Sequence, residues 1–135
     1  MGNNNAWVAI VDDEEGIRRA LLRLFRSVGL EAHAFHSGGN FLSSLEKSAP
    51  SCVVMDLNMP EMSGFALLEQ LRIFAPMLPV VILTAHEIRG TRPELSLPGI
   101  IDVLQKPATD SALLGAIAKS AKQLNKIITT HMKEN

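Results

Sequence analysis

The segment VAIVDD, residues 8–13, is an apolar run of four residues that ends on two aspartates. Three later segments have the same form, a short run rich in Val, Ile or Leu that leads to a polar residue: CVVMD (52–56), VVILT (80–84) and IIDVLQK (100–106). Runs of this length and composition are typical of buried parallel strands. Since the carboxyl ends of parallel strands lie along one edge of a sheet, we expect the polar residues there to meet. They are Asp12, Asp13, Asp56, Thr84 and Lys106.

Helical periodicity between the strands completes the prediction of the fold. A further strand is predicted at Glu31–Phe35, and helices are predicted at 14–28, at 39–47, from Phe65 to Ala75, and from about Asp110 to Leu124. Strands that alternate with helices require crossover connections and therefore a parallel sheet. The sequence thus predicts an α/β, flavodoxin-like (βα)5 doubly wound sandwich with strand order 2-1-3-4-5.

The fourth helix is expected to be short or irregular. It should lie at about 90–97, where Gly90 and Ser96 are poor helix formers and Pro98 prevents continuation.

Composition limits the class of protein. A chain of 135 residues with 47% hydrophobic and 20% charged residues suits one globular domain and argues against disorder. The net charge of −1 and the lack of a basic stripe argue against nucleic-acid binding by this chain, and no apolar run approaches the length of a membrane span. The single cysteine, Cys52, lies within an apolar run and is expected to be a buried structural thiol. We expect a cytoplasmic location.

Three carboxylates at one edge repel each other unless a cation binds between them. Carboxylate oxygens and water are the ligands that Mg²⁺ prefers. The alternative is that Asp12 and Asp13 only cap the first helix, but Asp56, just past a buried run, is harder to explain in that way. An ammonium at Lys106 and a hydroxyl at Thr84 suit phosphoryl oxygens. Together these groups describe a carboxylate nucleophile, a metal site and two groups that hold a transferred phosphoryl.

At these residues the chain resembles the receiver domain of bacterial two-component response regulators, from about Trp7 to Leu124. The matching motifs are VDDE (11–14), MDLNMP (55–60) with Ser63-Gly64, Thr84-Ala85, and Gly99 through Lys106-Pro107. Within that family, the VDDEE segment (11–15) and His86 look most like regulators with a LuxR-type helix-turn-helix output domain.

The resemblance implies a role for each acidic residue. Asp56 would accept a phosphoryl group from a histidine kinase and form an acyl phosphate. Asp13, Asp56 and the backbone carbonyl of Asn58 would ligate Mg²⁺, for which Mn²⁺ is an alternative, while Asp12 would act through water or position the metal.

The resemblance also implies roles at the last two strand ends. Thr84 would bond a phosphoryl oxygen and move toward it, and Ala85 would leave the phosphoryl group accessible. Lys106 would pair with Asp56 and then with its phosphate, and the Lys106-Pro107 peptide bond is expected to be cis.

The predicted switch region comprises Thr84, Ala85, His86, Val103 and Pro107, and it departs from the family pattern. Val103 stands where the family usually has Tyr or Phe, whose inward movement reports phosphorylation. We therefore expect switching through a change of order in the loop from His86 to Pro98. His86 is either a solvated loop residue or a group that influences the access of water to the acyl phosphate.

The favoured function is a phosphorylation-controlled switch, not an enzyme, that serves as the input domain of a transcriptional regulator. Its expected partners are a sensor histidine kinase or a phosphotransfer protein; a homodimer is left open, and no nucleic-acid or membrane contact is expected. The alternatives are a stand-alone regulator, a phosphorylation-independent interaction module and a Mg²⁺-dependent aspartyl phosphatase. The phosphatase would usually have a second Asp where Asn58 stands. The domain is expected to span 6–125, with 126–135 as a C-terminal extension or the start of a linker.

Overall fold

The apolar segments of the sequence form one parallel sheet. The computed structural model describes residues 6–85 and 99–134. The strands are β1 (Trp7–Val11), β2 (Glu31–Phe35), β3 (Cys52–Met55), β4 (Val80–Thr84) and β5 (Ile100–Gln105). The helices are α1 (Glu15–Ser27), α2 (Gly38–Ser44), α3 (Gly64–Phe74), α4 (Asp110–Ser120) and α5 (Lys122–Glu134). The helix expected at 90–97 lies outside the described residues.

The strand order is β2-β1-β3-β4-β5 with every pair parallel, so the predicted sheet is confirmed. Register aligns the strand ends, because Val11 lies opposite both Phe35 and Met55. Thr84 lies opposite Gln105 in the same way. Because Met55 lies opposite Ile82, β4 and β5 continue two residues beyond the level at which β1 and β3 end, and all four strands end at the same edge of the sheet.

Alternating side chains give the sheet two apolar faces. Val8 and Ile10 of β1 belong to the core cluster that also contains buried residues of α1, α4 and α5. Ala9 and Val11 point to the other side and belong to the cluster with buried residues of α2 and α3. Helices thus cover both faces, which is why β1, β3 and β4 are buried along their whole length.

Strand β5 differs from the expectation that all four apolar runs are buried. Its first five residues are half-buried and Gln105 is exposed. Within the described residues β5 pairs with β4 alone, so it forms an edge of the sheet and is less covered than the central strands.

Polar caps begin three of the helices. The side chains of Ser37, Ser63 and Thr109 accept hydrogen bonds from the backbone amides of Asn40, Ala66 and Ala112. Each cap satisfies an amide that has no partner within its helix, which stabilises the helix by about 1 kcal/mol. The caps of α3 and α4 also fix where the chain leaves the loops that follow β3 and β5.

The last helix was expected to run unbroken past Ala121, and this is wrong. Ala121 is extended, with φ −154° and ψ 140°, and it separates α4 from α5. Alanine favours helices, so local propensity does not cause the break. The interruption lets α5 turn, and Leu124 and Ile128 join the same core cluster as Val28 and Leu30. Tertiary packing therefore outweighs local preference at this position.

Cys52 is completely buried, as predicted, and burial raises the pKa of its thiol to about 12. The thiol is therefore neutral and unreactive at physiological pH. In the ranges 6–85 and 99–134, no helix has both the length and the apolar character needed to cross a bilayer.

Candidate functional site

Asp12 is fixed by its backbone at the end of β1. Its amide donates to the carbonyl of Phe35 (3.2 Å), and its own carbonyl accepts from Nη1 of Arg18 (2.9 Å). Its Oδ1 accepts from the amide of Glu14 at 2.9 Å. The side chain of Asp12 is almost fully buried, whereas Asp13 is exposed. The pair therefore presents one inner and one outer carboxylate.

Asp56 lies at the end of β3, beside Asp12. Its amide donates to the carbonyl of Val11 (3.1 Å), which continues the ladder between β1 and β3 by one residue. Its Oδ1 accepts from the amide of Asn58 at 3.2 Å, and the residue is 4% exposed. The carboxylate is thus held by the strand behind it and by the loop in front of it.

Gly64 allows that loop to close against α3. A Cβ at this position would lie 2.4 Å from Cα of Leu57 and 2.5 Å from the carbonyl oxygen of Asp56. The amide of Gly64 donates to the carbonyl of Leu57 at 2.9 Å. The Ser63-Gly64 motif therefore has a physical reason: only glycine leaves room for this close approach to the segment that carries Asp56.

Thr84 and Lys106 are joined through the backbone. The amide of Lys106 donates to the carbonyl of Thr84 at 2.7 Å, just beyond the pairing of β4 with β5. Thr84 is completely buried and Ala85 is exposed. The Lys106-Pro107 peptide bond is cis, as expected. Both strand ends therefore reach the edge at which Asp12 and Asp56 lie.

The ammonium of Lys106 contacts three carboxylates. Its Nζ lies 2.9 Å from Asp12 Oδ2, 3.3 Å from Glu14 Oε1 and 3.4 Å from Asp56 Oδ2. The lysine side chain is only 10% exposed, and those of Asp12 and Asp56 are less so. In this state of the protein the nearest partner of Lys106 is Asp12.

Burial and the neighbouring charges have opposite effects on the pKa values of Asp12 and Lys106. Burial raises the pKa of Asp12, and the hydrogen bonds from the Glu14 amide and Lys106 only partly offset that effect. Burial alone would lower the pKa of Lys106. The contacts with Asp12, Asp56 and Glu14 together outweigh burial, so the pKa of Lys106 is raised. Lys106 therefore remains a cation at any physiological pH.

Four acidic residues could share one cation. Asp12, Asp13, Glu14 and Asp56 each offer a carboxylate oxygen, and these oxygens lie within 4.8 Å of one another. An all-oxygen donor set with two exposed members fits Mg²⁺, which keeps several of its waters. Glu14 was not predicted to have a metal or catalytic role. Its position directly after the aspartate pair was the available signal.

The remaining predicted residues that the structure describes are Asn58, Pro107 and Val103. Asn58 is exposed, and Pro107 lines a cavity of about 370 Å³ between α1 and α4. Val103 is half-buried and packs against the core cluster on the side of α2 and α3. His86 and the loop to Pro98 lie outside the described residues.

Residues 8–118 match the family model of the response regulator receiver domain. The chain belongs to this family. Phosphorylation chemistry within two-component signalling is the function of these domains. The fold, with its acidic cluster and lysine at one sheet edge, is thus that of a receiver domain.

Named relatives agree with this assignment. The receiver domain is 32% identical over 122 residues to the response regulator protein TodT of Pseudomonas putida, covering 90% of this chain and 54% of TodT. It is 40% identical over 102 residues to the DNA-binding transcriptional regulator NtrC of Klebsiella pneumoniae, covering 76% of this chain and 21% of NtrC. The solved structure of the response regulator StyR superposes with a TM-score of 0.78 at 30% identity, covering 97% of this chain and 66% of StyR. The chain thus spans about half the length of TodT.

Proposed function

We propose that Asp56 is the phosphoacceptor of this receiver domain. The observation that carries the proposal is the contact of 3.4 Å between Asp56 Oδ2 and the ammonium of Lys106, within a cluster of four acidic residues. An Asp56 oxygen attacks the phosphorus of a phosphohistidine, an oxygen–phosphorus bond forms, and the phosphorus–nitrogen bond breaks. The histidine nitrogen leaves with the electron pair, and Asp56 becomes an acyl phosphate.

Asp12, Asp13 and Asp56 would hold Mg²⁺, or Mn²⁺ in its place, and the backbone carbonyl of Asn58 would be a further ligand. The bound ion would offset negative charge on the phosphoryl oxygens. Two residues of the cluster are exposed, so an ion and its waters have access from solvent.

Lys106 and Thr84 would hold the transferred phosphoryl. Because the side chain of Lys106 is only 10% exposed and its pKa is raised, its positive charge is held in a largely buried position beside Asp56. Thr84 would donate its hydroxyl to a phosphoryl oxygen, and the small, exposed Ala85 beside it leaves the approach open. Movement of Thr84 would begin the switch, and a change of order in the loop from His86 to Pro98 would transmit it, since Val103 lacks the aromatic ring that the family usually has there.

The partners would be a sensor histidine kinase or a phosphotransfer protein in the cytoplasm. The output would be control of a transcriptional regulator, because NtrC is a DNA-binding transcriptional regulator and TodT is a response regulator longer than this chain. A helix-turn-helix output of the LuxR type is the specific form that the sequence favours. The domain would act once per phosphorylation, as a switch, and not as a turnover enzyme.

Labelling with acetyl phosphate and Mg²⁺, followed by intact mass measurement, tests this function. We expect one phosphoryl group per chain, dependence on the divalent ion, and loss of labelling in Asp56→Asn. Asp110→Asn is the matched control, since Asp110 is an exposed acid at the start of α4 outside the cluster. Full labelling of Asp56→Asn would contradict the proposal, and repeated turnover of phosphate esters would favour the aspartyl phosphatase instead.

A further inference from the structure

The side chain of Glu14 contacts Lys106 and does not cap the helix that follows it. Glu14 is the residue before α1, yet its carboxylate makes no capping hydrogen bond to that helix. The side chain is 60% exposed, and Oε1 lies 3.3 Å from Nζ of Lys106. Among the described residues, Lys106 is the partner of this carboxylate.

The backbone around Glu14 is held in place. Its amide donates to Asp12 Oδ1 at 2.9 Å, and its carbonyl accepts from the amide of Arg18 at 3.1 Å. Glu14 therefore reaches Lys106 from a fixed point on the solvent side of the cluster. The same ammonium is held from the interior by Asp12 and, at the longest distance of the three, by Asp56.

We propose that Glu14 is a positioning residue that acts through Lys106, an inference that rests on the proposed phosphoacceptor role of Asp56. In the unphosphorylated protein Glu14 shares the ammonium of Lys106 with Asp56, at 3.3 Å and 3.4 Å, and so competes with Asp56 for it. A phosphoryl group on Asp56 takes the place of the Asp56 carboxylate as a partner of Lys106 and carries more negative charge, so it draws the ammonium toward itself and away from one of the two other carboxylates. Glu14 is the one it releases, because an exposed ion pair is screened by water and is far weaker than a buried one.

The proposal predicts opposite effects on two ligands. Glu14→Gln removes a competitor for Lys106, so beryllofluoride, a mimic of the phosphoryl group, should bind about 2- to 5-fold more tightly at saturating Mg²⁺. The same variant removes a negative charge from the acidic cluster, so Mg²⁺ alone should bind about 2- to 5-fold more weakly. A purely structural role for Glu14 would weaken both ligands together.

Calorimetric titration of the whole chain, first with Mg²⁺ and then with beryllofluoride, measures both affinities. Glu15→Gln is the matched control, because Glu15 is the next residue, is similarly exposed and pairs with Arg19 outside the cluster. Glu14→Asp keeps the charge but shortens the side chain. It should therefore gain affinity for beryllofluoride while it largely keeps the wild-type affinity for Mg²⁺.

A double-mutant cycle identifies the route of the effect. In a Lys106→Met background, most of the gain in beryllofluoride affinity from Glu14→Gln should disappear, because the residue through which Glu14 acts is absent. A gain of the same size in that background would overturn the positioning role, as would equal behaviour of Glu14→Gln and Glu15→Gln. Failure of the wild-type chain to bind beryllofluoride at all would instead reject the phosphoacceptor function on which the inference rests.

Discussion

Nζ of Lys106 lies 2.9 Å from Oδ2 of Asp12, although the two residues are 94 positions apart in the sequence. The contact joins the residue after β1 to the residue after β5, although β3 and β4 lie between these two strands in the sheet. Both side chains are at least nine-tenths buried. Even so, burial raises the pKa of Asp12 by more than Lys106 lowers it. The ionised carboxylate is therefore less stable in the folded protein than in the unfolded chain.

Asp12→Asn should therefore stabilise the metal-free domain at neutral pH. Burial raises the pKa of Asp12 in the folded protein above the ordinary value of 3.8, so the folded protein binds this proton more tightly than the unfolded chain does. Ionisation of Asp12 then costs stability as pH rises from about 4 through the raised pKa. The variant removes that cost and leaves Lys106 its contacts with Glu14 and Asp56.

Urea unfolding in a chelator, at several pH values from about 4 to 7, measures this difference. We expect the variant to gain on the order of 1 kcal/mol at pH 7 and to lose that advantage as the pH falls. Glu15→Gln, an exposed change outside the cluster, should show no such trend. A stability difference that does not vary with pH would contradict the assigned cause.

Mg²⁺ should raise the stability of the domain, because a ligand that binds only the folded state adds to the free energy of unfolding. The increase is about 2.7 kcal/mol when the free ion is at 100 times its dissociation constant. Asp13→Asn should lose most of this increase, since Asp13 is an exposed member of the acidic cluster. Thermal unfolding with and without Mg²⁺ measures it, with Asp110→Asn as the control. Equal stabilisation of Asp13→Asn and wild type would place the ion elsewhere.

The residues at the strand ends were predictable because two simple facts act together. Short Val- and Ile-rich runs identify buried strands, and parallel strands place their carboxyl ends at one edge. That reasoning is enough to place Asp12, Asp56 and Lys106 side by side, as the contacts between them show. The half-burial of β5 also follows from the predicted strand order, in which it occupies an edge.

Features that depend on side-chain reach or on distant packing were not predictable. The contact of Glu14 with Lys106 depends on the direction of one exposed side chain, which sequence spacing does not fix. The break at Ala121 lies at a strong helix former, and it follows from how Leu124 and Ile128 pack in the core. The close approach at Gly64 depends on the path of the loop after β3, which sequence spacing does not specify.

Two glycines should respond oppositely to substitution by alanine. At Gly64 a Cβ would lie 2.4 Å from a backbone atom of Leu57, so the loop that carries Asp56 must shift. At Gly115, in the exposed middle of α4, a Cβ meets nothing within 4 Å. Gly115→Ala should stabilise by about 0.5–1 kcal/mol, whereas Gly64→Ala should destabilise by about 1–3 kcal/mol.

Urea unfolding measures both glycine variants, and acetyl phosphate labelling gives a second readout. We expect Gly64→Ala to label more slowly than wild type and Gly115→Ala to label at the wild-type rate, because only the first lies against the segment of Asp56. A Gly64→Ala domain with wild-type stability would show that the loop can move aside at little cost.

Helix α5 should contribute to the stability of the receiver domain beyond residue 125. Ile128 is 5% exposed within the core cluster, and Ile127 Cγ2 lies 3.7 Å from the position of a Cβ on Gly29. Ile128→Ala should therefore lower the free energy of unfolding by about 2–5 kcal/mol, and truncation after Asn125 should cost at least as much.

Met132→Ala, at a side chain that is 62% exposed on the same helix, should change stability by less than about 0.5 kcal/mol. Unfolding of all three variants, compared with wild type, measures these effects. A truncated chain as stable as the full one would support a domain that ends at residue 125. In that case Ile128 would pack against the core without adding to the free energy of unfolding.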